Sequence, residues 1–296
     1  MKSIAIIGLS GKSIFYNVKK IPTTGETIHT TNIHQEVGGK GYNQAVACKR
    51  QGLDVYYLSA IGQDLEGIEC EKFMKNEGIN STFIYKNVNT ANASIIKDEN
   101  GNNEVIVYDG ANNLLNEEDI IEFKQKIMNV DALLLTYEIP YNALKCAIKI
   151  GKELNKLIVL NPAPYVYEDV DILKDVDFIT PNETEVMQMF HIKDFDINLI
   201  LNKCKELNLK NLIITMGANG CLAFINNACI KIGGIKVDAL DSTGAGDVFN
   251  GCFISHYLKN KNIVEACNYA NKMASISVTK NYVLDAIPKC NLFERD

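Results

Sequence analysis

The chain predicts a doubly wound α/β fold with a mostly parallel sheet, and three observations carry that expectation. Short apolar, β-branched runs alternate with segments of helical spacing, which is the rhythm of βαβ units. These runs are apolar throughout rather than every second residue, as strands covered on both faces must be. With 296 residues, 47% of them hydrophobic and 22% charged, the chain is long and apolar enough to bury a large core.

The elements follow in order. Ile4–Ile7 is a buried first strand, since a run of apolar residues ends there at Gly8. Tyr42–Gln51 reads as a helix behind a glycine-rich start, Val55–Ala60 as the next strand and Gly67–Asn76 as its helix. Glu117–Met128 opens on acidic residues, which suit the positive end of a helix, and leads to strand Ala132–Leu135. Helix Asn142–Leu154 precedes strand Leu157–Leu160, and strand Asp177–Ile179 precedes helix Glu183–Phe190. Helix Ile197–Leu207 precedes strand Leu212–Thr215, and Thr243–Tyr257 and Ile263–Thr279 read as two long helices. Phe15–Val37 and Phe83–Tyr108 break the rhythm as short alternating strands joined by polar turns such as Asp98-Glu99-Asn100-Gly101-Asn102. Strands projecting from a parallel sheet would form a small lid over its carboxyl edge, where ligands bind in such folds. No proline- or glycine-rich linker and no repeat divides the chain, so one domain over 1–296 is expected, with lid strands from about 15–37 and 83–108.

Composition excludes several functions. Thirty basic against 36 acidic residues give a net charge of −6, which argues against a nucleic-acid partner. No apolar run is long enough to cross a membrane, and the first run is too short for a secretion signal. The nine cysteines are odd in number, form no C-x-x-C pair and sit mostly in apolar segments. Reduced, buried thiols in a cytoplasm are therefore expected, without disulfides or a zinc site.

The most telling motif is Ala239–Gly251, where Gly244-Ala245-Gly246-Asp247 feeds a helical pattern. A glycine-rich turn into a helix start aims backbone N–H groups and the positive dipole end at one point, an anion hole. A carboxylate there competes with the anion unless it handles a proton, which makes Asp247 a candidate general base. The plain alternative is a dipole-matching residue in a helix first turn. Gly38-Gly39-Lys40-Gly41-Tyr42-Asn43 permits close backbone approach to a ligand and offers an amide to hydroxyls, or is simply a capped flexible turn. Asn161–Pro164 and Thr180–Glu185 each follow a strand. In the second, Asn182 and Glu185 share a helix face, where the carboxylate suits the water shell of a phosphate-held Mg²⁺. The same pair also fits a reciprocal helix cap. Ile213–Gly220 ends a strand with the Thr215 hydroxyl and Gly217, and Glu138 is a lone acid at the same edge. Gly8-Leu9-Ser10-Gly11-Lys12-Ser13 is not a P-loop, because Ile6 stands where its first glycine is required. No G-x-G-x-x-G follows a strand, which removes the main argument for a dinucleotide enzyme.

Together these stretches resemble the ribokinase-type sugar kinases, the phosphofructokinase-B family. Gly38–Ala47 and Asp241–Gly251 match its two signatures, and Asn161–Pro164, Ile179–Glu185 and Ile213–Gly220 fall between them in order. The resemblance spans essentially the whole chain and implies a ribokinase-like fold and ATP-dependent phosphorylation of a primary hydroxyl on a sugar-like molecule. It implies Asp247 as base and the N–H groups of Gly244, Ala245 and Gly246 as holders of the transferring phosphoryl charge. It implies Asn182, Thr215, Gly217 and Asn271 for ATP, and Glu185 with Asn182 for the waters of Mg²⁺. Gly39, Lys40, Asn43 and Glu138 match sugar-contacting positions, and a homodimer through the lid is implied.

Two departures bear on substrate and ions. The family's early substrate loop falls on Gly8–Ile14, with Gly11 where a ribokinase has asparagine and Ser13 where it has aspartate. Serine cannot match the charge-assisted, two-oxygen acceptance of a sugar diol by aspartate, at about 1.5–3 kcal/mol per charged hydrogen bond. The acceptor is thus left open, and Lys12 next door suits an anionic or differently substituted ligand. The second departure is Val278–Pro288, where the family has glycine near Tyr282 and a small polar residue at Ala286. Asp241 matches the family's monovalent-cation site, so K⁺ is implied there, while these changes argue against potassium activation. A pentose kinase is the leading reading. A nucleoside kinase of the same fold, or a non-catalytic sugar or nucleotide sensor, are the alternatives, and a sensor has no use for Asp247.

Overall fold

The computed structural model describes residues 1–290 other than Gly101; the span expected for one domain, 1–296, runs past it. Nine strands form the large sheet: β1 Ser3–Ile7, β4 Asp54–Ile61, β5 Asn80–Tyr85, β8 Ala132–Thr136, β9 Leu157–Asn161, β10 Phe178–Ile179, β11 Asn211–Thr215, β12 Cys221–Ile225 and β13 Ala228–Ile232. Their order is β13-β12-β11-β10-β9-β8-β1-β4-β5, parallel except for the last hairpin, β12 and β13. A second sheet contains β2 Gly11–Asn17, β3 Asn32–Gly38, β6 Ala91–Lys97 and β7 Asn103–Tyr108, in the order β3-β2-β6-β7.

Period-two geometry splits each apolar run between two cores. Ile4 and Ile6 join one buried cluster while Ala5 and Ile7 join the other. Leu134 and Leu133 divide the same way in β8, as do Ile213 and Ile214 in β11. The first cluster takes in α1 Lys40–Arg50, α2 Leu65–Asn76, α7 Ala245–Asn260 and α8 Ile263–Ser277. The second takes in α3 Glu117–Met128, α4 Tyr141–Glu153, α5 Glu183–Phe190 and α6 Ile197–Glu206. Each fully buried Ile, Leu or Val contributes about 1.5–3 kcal/mol, so covering both faces is what fixes these strands. No helix of the described residues is long and apolar enough to cross a membrane.

The structure differs from the sequence reading at four places. Residues 80–85 pair with β4 in the large sheet, so Phe83–Tyr85 do not belong to the projecting strands. Gly11–Ile14 is part of strand β2 rather than a loop, because its backbone pairs with both β3 and β6. The β12–β13 hairpin is new; Asn226 and Asn227 at its tip have φ of 50° and 64°. Positive φ at both central residues is what a tight type I′ turn needs, and asparagine tolerates it. Helix α7 starts at Ala245 rather than Thr243 and runs on to Asn260, because Gly244 ahead of it is left-handed (φ 74°).

Candidate active site

The carboxyl end of the large sheet gathers the starts of α1, α5 and α7. Gly8 after β1 and Gly41 in α1 touch there, and a Cβ on either would lie 2.6 Å from the other's Cα. Gly39 has φ 125° and passes so close to Leu9 that a Cβ would sit 2.2 Å from its carbonyl oxygen. Glycine at these points is a steric demand, and it lets α1 begin directly above the strand end.

Asp247 lies in the first turn of α7 and is 6% exposed. Its Oδ2 accepts from Asn43 Nδ2 at 2.9 Å and its Oδ1 from Gln44 Nε2 at 3.0 Å. Both donors come from α1, which α7 approaches closely at Gly251; a Cβ there would be 2.4 Å from that of Ala47. Gln44 also donates to Asn161 Oδ1 at 3.0 Å, and Asn161 donates to the Thr180 carbonyl at 2.8 Å. Burial raises the Asp247 carboxyl above its ordinary value, against the pull of Lys40 and the two amide donors. The first N–H groups of a helix have no partner within it. Here Ala245 donates back to Ser242 at 3.2 Å, which leaves Gly246 and Asp247 as the open amides of the turn.

Lys40 stands at the centre of the site's charge. Burial works against its ammonium, but Asp247, Glu138 and Glu185 together hold its pKa above the ordinary value. Glu138 accepts from the amides of Lys40 (2.8 Å), Gly41 (3.0 Å) and Leu9 (3.4 Å) and from Thr136 Oγ1 (3.1 Å). Its pKa is nevertheless raised, by burial. It therefore ties the β1 end to the α1 start, a place no spacing in the sequence announces. Asn182 and Glu185 form the reciprocal cap of α5, each side chain bonded to the other's amide at 2.8 Å. Burial also raises Glu185, which lies in the field of Lys40.

Beside the glycine turn is a cavity of about 760 Å³ lined by Thr215, Gly217, Ser242, Ala245, Gly246 and Asn271 among others. Asn271 Nδ2 donates to the Gly233 carbonyl at 3.2 Å on the cavity wall. Thr215, Gly217, Asn271 and the glycine turn thus line one cavity, and Asn43, Lys40, Glu138 and Glu185 surround Asp247. Asn43 Oδ1 is a buried acceptor with no partner. Ser13 Oγ is close by: a Cβ placed on Gly38 would lie 3.5 Å from both atoms. Gly11 contributes only backbone, packed so that a Cβ would meet the Ala91 carbonyl at 2.4 Å. Lys12 does not face the site as an open cation, because its ammonium pairs with Glu69. Asp241 stands at the root of the glycine turn, where Thr243 donates to Oδ1 through both its amide (3.0 Å) and its hydroxyl (2.7 Å). Two polar residues were silent in the sequence, Gln44 and Lys97. The first only follows Asn43; the second pairs with Asp241 at 3.2 Å from more than a hundred residues away.

The chain matches a known family over nearly its whole length. The pfkB family of carbohydrate kinases matches residues 1–290. A ribokinase of Dictyostelium discoideum is 35% identical, with 98% of each chain covered. A deoxyribokinase of Salmonella typhi is 30% identical over 98% of this chain and 97% of its own. The solved ribokinase of Giardia lamblia superposes with a TM-score of 0.91 at 25% identity, covering 97% of this chain and 96% of that one. A buried aspartate at the head of a helix, open amides in a glycine turn and an adjoining cavity lie together at this sheet end. The chain belongs to the pfkB family of carbohydrate kinases.

Proposed function

We propose that the protein transfers the γ-phosphoryl group of ATP to a primary hydroxyl of a sugar or sugar-like molecule, with a pentose favoured. The observation that carries this is Asp247, buried, held by two amide donors and set beside the open N–H groups of the α7 turn. The names of the relatives, ribokinase and deoxyribokinase, support a five-carbon acceptor.

A hydroxyl attacks phosphorus poorly until its proton leaves, and Asp247 is the group to accept that proton. Asn43 and Gln44 keep its two oxygens oriented, and the Lys40 charge favours its ionised form against the effect of burial. The turn Gly244-Ala245-Gly246 receives the phosphoryl charge, with the Gly246 and Asp247 amides as its open donors. Thr215, Gly217 and Asn271 on the cavity wall suit the nucleotide. Gly39, Lys40, Asn43, Ser13, Gly11 and Glu138 bound the sugar side, where Asn43 Oδ1 awaits a donor.

Among the described residues no group of three or more His, Cys, Asp or Glu could cage a metal. Glu185, joined to Asn182 in the α5 cap, fits an ion that arrives on nucleotide phosphates and keeps its waters. When bound, Mg²⁺-ATP supplies the phosphoryl group and neutralises the charge that develops on it. The second sheet serves as a lid that excludes water and as the contact surface of a homodimer. Thiols set mostly in buried positions suit a reducing compartment such as the cytoplasm.

The test is phosphoryl transfer measured over pentoses, hexoses, their phosphates and nucleosides. A five-carbon sugar with the highest kcat/KM supports the reading. Preference for a nucleoside would replace it with a nucleoside kinase, and no transfer to any acceptor would favour a sensor.

A further inference from the structure

We propose that Lys97 is a built-in cation that takes the place of a monovalent metal ion at Asp241 and positions the glycine turn, so that the kinase works without potassium. This rests on the kinase reading only for its activity readout.

Asp241 is 6% exposed, so its negative charge needs a nearby counter-charge. Lys97 Nζ lies 3.2 Å from its Oδ2, reaching across from the end of β6 in the second sheet. The Tyr282 amide meets the same oxygen at 3.3 Å, and Thr243 takes the other. All these partners are donors, whereas an alkali ion needs a shell of acceptors. The nearby carbonyls are also occupied: Val278 accepts from the Leu240 and Asp241 amides, and Val283 from those of Ala286 and Ile287. The donor set around Asp241 therefore does not fit potassium.

The surroundings explain why a positive charge belongs there. Glu36 on β3 accepts the Val283 and Leu284 amides at 3.0 and 3.1 Å, and Asp285 and Asp241 both act on it electrostatically. Three carboxylates thus converge on this corner, and Lys97 is the cation that pairs with the most buried of them. Tyr282 holds a left-handed backbone (φ 65°), and its ring stacks on His34 of β3 at 3.4 Å between centroids. Lys97, Glu36 and His34 therefore join the second sheet to the segment beneath the glycine turn. Gly244 in that turn packs on this segment, since a Cβ there would meet Val283 Cγ1 at 2.4 Å. A charge delivered by the sheet fixes the turn permanently, whereas one drawn from solution would come and go.

The experiment compares wild type, Lys97→Met and Lys97→Arg in tetramethylammonium buffer and in potassium buffer of equal ionic strength. It reads kcat for sugar phosphorylation and the melting temperature of the unliganded protein. Wild type and Lys97→Arg are expected to give the same values in both buffers. Lys97→Met is expected to lose roughly tenfold in kcat in both buffers, a usual size for one coupled site, because the donors left around Asp241 give potassium no shell, while Lys97→Arg keeps most of the wild-type rate. Lys97→Met should melt at a lower temperature than wild type, and potassium should leave both unmoved. A severalfold activation or a thermal shift of wild type by potassium would overturn the proposal, and that comparison needs no variant. So would a Lys97→Met enzyme with wild-type kcat, or a Lys97→Arg enzyme that loses as much as Lys97→Met, the mark of a lysine kept for its packing rather than its charge. The melting readout stands even if no sugar in the panel is phosphorylated.

Discussion

Asp247 shows how one residue's environment sets its chemistry. Burial disfavours its charged form, so its carboxyl titrates above the ordinary 3.8. As pH falls, the base is then protonated earlier than an exposed aspartate would be, and kcat/KM should drop on an acid limb displaced upward. The stability effect has the opposite sense. The folded state binds this proton more tightly than the unfolded chain does. The stabilisation is complete below the unfolded pKa and is lost as pH rises through the raised folded value. Asp247→Asn should cost about 10²–10⁴-fold in kcat with sugar KM little changed, and the acid limb should vanish from the remaining rate. Steady-state kinetics across pH checks this; a variant with wild-type turnover would remove Asp247 from the mechanism.

At the scale of elements, strand pairing and helix approach set the limits on substitution. Ser13 of β2 lies directly opposite Glu36 of β3. An aspartate at 13 would face a like charge across the strands, which is a physical reason for serine there. Ser13→Asp should therefore improve the KM for ribose by about tenfold in a Glu36→Gln background, from one charged hydrogen bond, and by less on its own. Kinetics of the single and double variants measure the difference. At the start of α1, Gly39→Ala would combine a strained φ with a Cβ 2.2 Å from Leu9 O. A loss of about 2–5 kcal/mol in unfolding free energy is expected, read by urea denaturation. The helices and buried strands were legible because a period of 3.6 or an unbroken apolar run survives in any context. The β12–β13 hairpin was less so: its strands are short, and its one local signal was the pair Asn226-Asn227.

At the scale of the whole molecule, an apolar strand of the second sheet is left uncovered. Val105, Ile106, Val107 and Tyr108 form an exposed run on β7, the edge of the second sheet, with Ile106 66% exposed. An apolar edge strand is a ready surface for pairing, and the second copy of this chain is its proposed occupant. Sedimentation should show a dimer that Ile106→Lys dissociates; a wild type that stays monomeric at all concentrations would refute the pairing. The core is also closed over long distances: Arg50 of α1 bonds the carbonyls of Leu284 and Ile287 and both oxygens of Glu77.

By itself the sequence determined the layered α/β architecture, the glycine turn with Asp247, and the family, because these rest on patterns confined to short stretches of chain. Only the tertiary structure decided how the site is held. Gln44 meets Asp247 across 203 residues, Glu138 bridges to Lys40 across 98, and Lys97 reaches Asp241 from another sheet. Such pairings depend on where folding brings backbones together, and a polar side chain carries no local mark of its distant partner. The polar groups were visible as letters, and their roles as donors, acceptors, counter-charges and anchors came from geometry alone.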